Sequence, residues 1–367
     1  MFPSVLPAPR LPARKAIPSL RWGIIGPGWI ADHFASALKE QSDQQLVAVC
    51  GRREEKVRAF AERWDIAHAF TCADDLLAMT DLDAVYIATP HNHHFPDGLQ
   101  ALRAGKHVLI EKPLALNATE GAALQAAARE EKRLCMEAMW CDFTPKYDVL
   151  RQLLADGALG ELHTLIADHG EFFSPDHRIF NPALAGGPML DLGSYLVSLS
   201  MMVGGAPETV IACGQPAPGG VNGQASMLFT HAQGMHSVLH TTLFSNTPGR
   251  AILAGRDATL VLEGHFYAPG NFTLSASQGN RTLRWEEPAT RYRQLAHEAE
   301  HFAWCIGQSL SDSPIRSLET SLLTLRSMDE ARRQLGIRFN EEDPPRADGR
   351  MISRRLRPPE GKRAPTR

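Results

Sequence analysis

The stretch Leu20-Arg21-Trp22-Gly23-Ile24-Ile25-Gly26-Pro27-Gly28-Trp29-Ile30-Ala31 constrains this chain more than any other. A short apolar run, Trp22 to Ile25, ends in Gly26-x-Gly28-x-x-Ala31, and a helical pattern continues through Leu38. The order strand, tight glycine turn, helix lets a backbone come close to a pyrophosphate while free N–H groups of the helix start face it. A glycine triplet alone is weak evidence. At the head of an alternating strand–helix series it makes a dinucleotide the leading ligand.

That series follows. Residues 45–50, 83–88, 106–110 and 134–138 read as apolar strands, with helices expected over 54–64, 96–104 and 118–131. Continuous apolar strands alternating with helices imply a parallel sheet covered on both faces, here a Rossmann domain over residues 20–142. The pattern then changes. Helices are expected over 145–155, 188–202, 292–307 and 318–335. Short strands at 161–171, 209–213, 225–230, 237–243, 251–254 and 259–262 are punctuated by glycine and proline. This spacing predicts an α+β domain over 143–337 with a mainly antiparallel open sheet. The fold class is α/β with two domains, as 367 residues require.

Composition excludes several function classes. Hydrophobic residues make up 44% and charged residues 22%, the balance of an ordinary soluble globular protein. A net charge of −3 does not point to nucleic acid or to a membrane surface, and no apolar run is long enough to span a bilayer. Six scattered cysteines lack any zinc or redox spacing and read as reduced thiols, which places the chain in the cytoplasm. Residues 1–19 carry five prolines and three cations and read as a disordered or extended arm. Residues 338–367 read as a basic tail, with eight cations against three acids from Asp343 onward.

The end of the second strand bears on which dinucleotide binds. An NAD site usually places Asp or Glu there, whereas this chain has Cys50-Gly51-Arg52-Arg53. An arginine forks onto a 2′-phosphate and stacks on adenine, so NADP is favoured and NAD stays open. The plainer alternative is that Arg52 and Arg53 only begin the next helix. Two polar clusters follow later strands: Thr89-Pro90-His91-Asn92-His93-His94 and Glu111-Lys112-Pro113. Three histidines so closely spaced in a loop rarely converge on one ion, so they read as polar residues at the nicotinamide end and no metal is expected. Lys112, directly after a buried strand on the cofactor side, is the cation to watch. A third cluster, Gly186-Gly187-Pro188-Met189-Leu190-Asp191-Leu192-Gly193-Ser194-Tyr195, places Asp191 and Tyr195 four apart, on one face of a helix that begins near Pro188. A carboxylate and a phenol presented together suit proton transfer, although a lone tyrosine is as commonly a core residue.

Together these motifs resemble the glucose–fructose oxidoreductase / inositol dehydrogenase / rhizopine catabolism family over residues 20–337. Glu137-Ala138-Met139-Trp140 and Arg178-x-Phe180-x-Pro182 are similar to the branch of dihydrodiol dehydrogenase and NADP-dependent xylose dehydrogenase. The resemblance implies a homo-oligomeric NAD(P)-dependent oxidoreductase that moves hydride between nicotinamide and a carbon of a sugar, polyol or cyclic diol. It assigns substrate binding and oligomer contact to the domain over 143–337. It also implies a cis Lys112-Pro113 bond. Lys112, Asp191 and Tyr195 become the catalytic candidates. Many members have histidine where this chain has Tyr195, so the proton carrier is Tyr195 or Lys112. Tyr195 would take the proton, Lys112 would lower its pKa toward neutrality, and Asp191 would orient Lys112 or a substrate hydroxyl. Cofactor contacts are expected from Gly26, Gly28, Trp29, Ile30, Arg52, Arg53, Thr89, Pro90, Asn92, His94, Glu111 and Lys112. Substrate contacts are expected from Trp140, Phe172, Phe173 and Arg178. The family's other activities leave two alternatives: a redox-neutral glycosidase that uses bound NAD transiently, and a non-catalytic dinucleotide-sensing regulator.

Overall fold

A computed structural model describes residues 2–288 and 290–342, so the basic run from Asp343 lies outside the described residues. The first half alternates strictly: β1 (Arg21–Ile25), α1 (Trp29–Gln41), β2 (Gln45–Cys50), α2 (Glu54–Trp64), β3 (His68–Phe70), α3 (Ala73–Leu77), β4 (Ala84–Ile87), α4 (His91–Arg103), β5 (His107–Glu111), α5 (Ala118–Glu130) and β6 (Cys135–Ala138). The strands form one parallel sheet in the order β3-β2-β1-β4-β5-β6. All of β4 and β6 and most of β1 and β5 are buried, because helices cover both faces of the sheet. The strand order reverses between β1 and β4, and a crevice opens there beyond their carboxyl ends. One expectation is corrected. Helix α4 begins at His91 and contains Pro96, where the sequence places the helix start at 96.

The second half comprises α6 (Pro145–Ala155), β7 (Leu162–Gly170), α7 (Pro188–Asp191), α8 (Gly193–Gly204), β8 (Pro207–Pro216), β9 (Asn222–His231), β10 (His236–Thr242), β11 (Ala251–Gly255), β12 (Ala258–Leu262), β13 (Phe272–Ala276), β14 (Thr282–Trp285), α9 (Leu295–Gly307) and α10 (Leu318–Leu335). Its eight strands run β14-β13-β12-β11-β7-β10-β9-β8, antiparallel except for the β7–β10 pair. Thr144 caps α6 ahead of Pro145, and Ser317 caps α10, which ends on the left-handed Gly336. The single helix expected over 188–202 is broken at Leu192 into α7 and α8.

Helices α8 and α10 lie on the inner side of this half, and α10 also packs on α5 of the first half. The outer sheet face carries a row in register across six strands: Val261, Ile252, Ile166, Val238, Leu228 and Ile211. Ile166, Val238 and Ile211 are 46%, 45% and 58% exposed, so no element among the described residues covers the row.

Residues 2–19 run as an extended arm. Arg281 donates to the carbonyls of Phe2 and Pro3, Gln152 to that of Ala8, and the Arg10 amide to Asp148. Arg14 then pairs with Asp43 at the end of the α1–β2 turn. No helix among the described residues is long and apolar enough to cross a membrane.

Candidate active site

The dinucleotide turn sits at the strand reversal. Gly26 has φ +97°, and a Cβ there would lie 2.8 Å from the Ala88 carbonyl and the Thr89 amide, so only glycine fits. Gly28 precedes α1 without any side-chain cap, and a Cβ built on it meets nothing closer than 3.9 Å. The helix start is therefore uncapped beside open space, which fits a diphosphate. Trp29 is 63% exposed beside it, and Ile30 is half-buried. Arg52 and Arg53 are exposed just past β2 and form no ion pair among the described residues. The charge of Arg52 reaches Asp97 in α4, the carboxylate to which Thr89 donates.

Three catalytic candidates converge across the crevice. Lys112 leaves the end of β5 through a cis bond to Pro113. Its Nζ donates to Asp191 Oδ1 and to the Asp191 carbonyl, both at 2.8 Å, and lies 4.8 Å from the Tyr195 ring centroid. Burial pushes the Asp191 carboxyl up, but Lys112, His91 and Arg178 outweigh it and hold the group below the usual carboxylate range. Asp191 ends α7 and Tyr195 lies in the first turn of α8, so the break at Leu192, not a shared helix face, brings them together. Trp140 Nε1 donates to the Tyr195 hydroxyl at 2.8 Å. Burial raises the Tyr195 phenol well above its ordinary pKa, Glu111 and Tyr267 add to the effect, and the Trp140 bond opposes it. The expectation that Lys112 brings this phenol toward neutrality is thereby corrected. Lys112 stands over the ring face and spends its bonds on Asp191, and desolvation dominates.

Other expected contacts take different roles. Glu111 turns into the fold, where it accepts from the Tyr86 hydroxyl and from the Lys112 amide. Burial pushes its carboxyl up to about 7. His94 bridges the carbonyls of Thr89 and Pro113 at 2.9 and 2.7 Å, so it fastens the loop after β4 to the lysine loop and faces no ligand. Asn92 donates to the Ala183 carbonyl and to Glu341. Pro90 is the residue before α4, and Thr89 donates to Asp97. The histidines lie on a helix, not a loop, with His91 and His94 buried. Trp140 is buried and serves the tyrosine by its N–H rather than lining a substrate wall. Phe172 is exposed, Phe173 packs near Ile179, and Arg178 reaches 3.5 Å from Asp191 Oδ2.

Several residues at the site carry no local sequence signal. Tyr267, from the loop after β12, stacks on Tyr195 and on His169, both at 4.4 Å between centroids. Tyr292, from a short 3₁₀ turn before α9, meets Trp29 edge-on at 4.9 Å and lies 5.9 Å from Trp140. Beneath the site Arg316 is 1% exposed. It bonds Glu137 Oε2 through Nη2 at 2.6 Å and through Nε at 3.0 Å, and Ser198 at 2.7 Å. Glu137 accepts from the Leu114 amide in turn, so one guanidinium braces both the lysine loop and the tyrosine helix.

This arrangement has counterparts among known proteins. Residues 20–139 match the family described as "Oxidoreductase family, NAD-binding Rossmann fold", and residues 147–261 match the "GFO/IDH/MocA C-terminal domain". The chain is 32% identical to trans-1,2-dihydrobenzene-1,2-diol dehydrogenase of Mus musculus, over 88% of this chain and 99% of that one. The chain belongs to the GFO/IDH/MocA oxidoreductase family. It is an NAD(P)-dependent oxidoreductase acting on CH–OH groups. Among solved structures it is similar to KijD10, a 3-ketoreductase from Actinomadura kijaniata in complex with NADP and TDP-benzene. That likeness has a TM-score of 0.78 and 25% identity over 87% of this chain and 98% of the other. The aldose-aldose oxidoreductase of Caulobacter crescentus shares the fold, with a TM-score of 0.78 and 24% identity over 91% of this chain and 99% of its own.

Proposed function

We propose that Tyr195 carries the proton, Lys112 supplies the adjacent cation, and Asp191 holds Lys112 in place, for oxidation or reduction of a sugar, polyol or cyclic diol. The observation that carries this reading is the Lys112 ammonium 4.8 Å from the Tyr195 ring. When bound, the nicotinamide supplies or accepts the hydride. An indole N–H only donates, so the Tyr195 oxygen accepts from Trp140 and its own hydrogen is left for a substrate oxygen. In reduction the neutral phenol gives that hydrogen to the carbonyl oxygen as negative charge grows there. In oxidation the phenolate, formed as pH rises, takes the proton of the hydroxyl. Lys112 stabilises charge on the same oxygen in either direction, and Asp191 keeps the ammonium from turning to solvent.

Because burial raises the phenol, its resting form is the acid. Reduction is expected to stay level through neutral pH and to fall only above the ordinary tyrosine value of about 10, while oxidation rises with pH over that range. The test is nicotinamide absorbance with both dinucleotides and a panel of aldoses, inositols and cyclic diols. Tyr195→Phe is expected to lower turnover by roughly 10²–10⁴-fold with dinucleotide affinity retained. Unchanged turnover removes Tyr195 from the proposal. Arg52 and Arg53, which form no ion pair among the described residues, support NADP over NAD, and equal KM values for the two dinucleotides would count against that choice.

The exposed aliphatic row supports a homo-oligomer formed through the second sheet. Val238→Lys, at its centre, is expected to halve the mass seen in sedimentation, and an unchanged mass rules this face out. Six free cysteines support a reducing, cytoplasmic setting.

A further inference from the structure

Lys146 is a buried charge that the proton-transfer residues do not use. It lies in the first turn of α6, behind the Thr144 cap, and is 0% exposed. A cation there meets the positive end of the helix dipole, and full burial strips its water. Its Nζ has one acceptor among the described residues, the Ala268 carbonyl. The carboxylate of Glu287 favours the ammonium through its charge and itself bonds the Gly270 amide at 3.0 Å.

Both anchors hold one loop. Residues 263–271 join β12 to β13, and the Glu263 amide closes them onto the Asn271 carbonyl at 3.0 Å. This loop carries Tyr267, next to Ala268. The Tyr267 ring lies against the Tyr195 ring at 4.4 Å and 20°, and its hydroxyl donates to Glu171 at 3.2 Å. Lys146 comes six residues after Trp140, by way of the short 3₁₀ turn Trp140–Phe143 and Thr144. Trp140 donates to the Tyr195 oxygen. One segment therefore grips the phenol by its oxygen and another by its ring, and the bond from Lys146 to Ala268 ties those two segments together.

We propose that Lys146 is a positioning residue for the proton transfer: its bond to the Ala268 carbonyl locks the Tyr267 loop to the Trp140 segment and so holds the Tyr195 hydroxyl at one angle to the substrate oxygen. This rests on the reading of Tyr195 as the proton carrier. A methionine would fill the same space without stripping water from a charge, and an apolar replacement of a buried charge is often neutral or stabilising. What the lysine adds is a directed bond. Misalignment of a reacting group is costly in rate even where it costs little in stability.

The test compares the wild-type full chain with Lys146→Met, Tyr267→Ala and the double variant, on whichever aldose, inositol or cyclic diol of the panel turns over fastest. Lys146→Met is expected to lower kcat roughly tenfold, with the KM of the dinucleotide unchanged. Its melting temperature is expected to equal or exceed that of wild type. Tyr267→Ala is expected to lower kcat as well, and adding Lys146→Met to it to lower kcat no further. An unchanged kcat in Lys146→Met, losses that multiply in the double variant, or a melting temperature well below wild type each overturns the inference. Lys146→Gln is read in the same way should Lys146→Met not fold, and failure of both to fold makes Lys146 a scaffold residue and overturns the inference too. Full turnover by Tyr195→Phe removes the proton-carrier reading and this inference with it. A normal kcat in Lys146→Met beside an impaired Tyr195→Phe removes the inference alone. Absence of turnover by the wild-type chain with every substrate and both dinucleotides overturns the two together.

Discussion

The fold holds two cation–carboxylate clusters, Arg316 with Glu137 and Asp142 and Lys112 with Asp191, and they differ in how much bonding capacity they leave unused. Arg316 spends every nitrogen: Nε on Glu137 and Ser321, Nη1 on Ser198 and Asp142, Nη2 on Glu137 and Thr324. The cluster is closed to water and has nothing left to offer a ligand. Lys112 gives two bonds to Asp191 and keeps a third donor, and its side chain is 12% exposed. Among the described residues, Oδ2 of Asp191 is met only by Arg178, at 3.5 Å. Saturated pairing marks the scaffold here, and a spare donor beside an accessible crevice marks chemistry. Burial and opposite charge alone do not separate the two.

Neutralising each cation puts the contrast under the largest strain. Lys112→Met is expected to cost roughly 10²–10⁴ in turnover. Its melting temperature falls less than that of Arg316→Met, because Asp191 keeps Arg178 and access to water. Arg316→Met strands two buried carboxylates and is expected to lose about 3–5 kcal/mol of stability. Calorimetry of the two variants decides the matter. Equal melting points, or full activity in Lys112→Met, would erase the distinction.

Single hydrogen bonds give a finer and smaller comparison. Trp140→Phe removes the donor to the Tyr195 oxygen and is expected to lower kcat by roughly 2- to 10-fold. Ser321→Ala removes one neutral bond from Arg316 and is expected to lower stability by about 1 kcal/mol with kcat unchanged. A change in kcat for Ser321→Ala as large as that for Trp140→Phe would mean that the scaffold cluster reaches into the chemical step.

The first half was the more readable from sequence because buried parallel strands are written as continuous apolar runs. Residues 54–64 and 318–335 match helices α2 and α10 at both ends. Pro96 misled because proline marks the first turn of a helix more often than its interior. Strands β13 and β14 were missed because they are only five and four residues long, so that the alternation of Phe272 and Leu274 with Thr273 and Ser275 is too brief to stand out. At the site, Lys112, Asp191 and Tyr195 stood out by motif and do come together. Residue type did not disclose which atom each neighbour would use. His94 and Trp140 were expected at ligands, and they fasten a loop and a phenol instead. Glu171, Tyr267 and Tyr292 arrive from separate loops, and only tertiary packing assembles them.

The proline-rich arm bears on how the crevice breathes. It is anchored near Arg281 and on α6 in one half and at Asp43 in the other. A strap fixed on both banks behaves like a door chain: wide gaping must first snap the Arg14 or Arg10 fastening. Clipping the strap between residues 10 and 14 would release the two lobes from each other on this side.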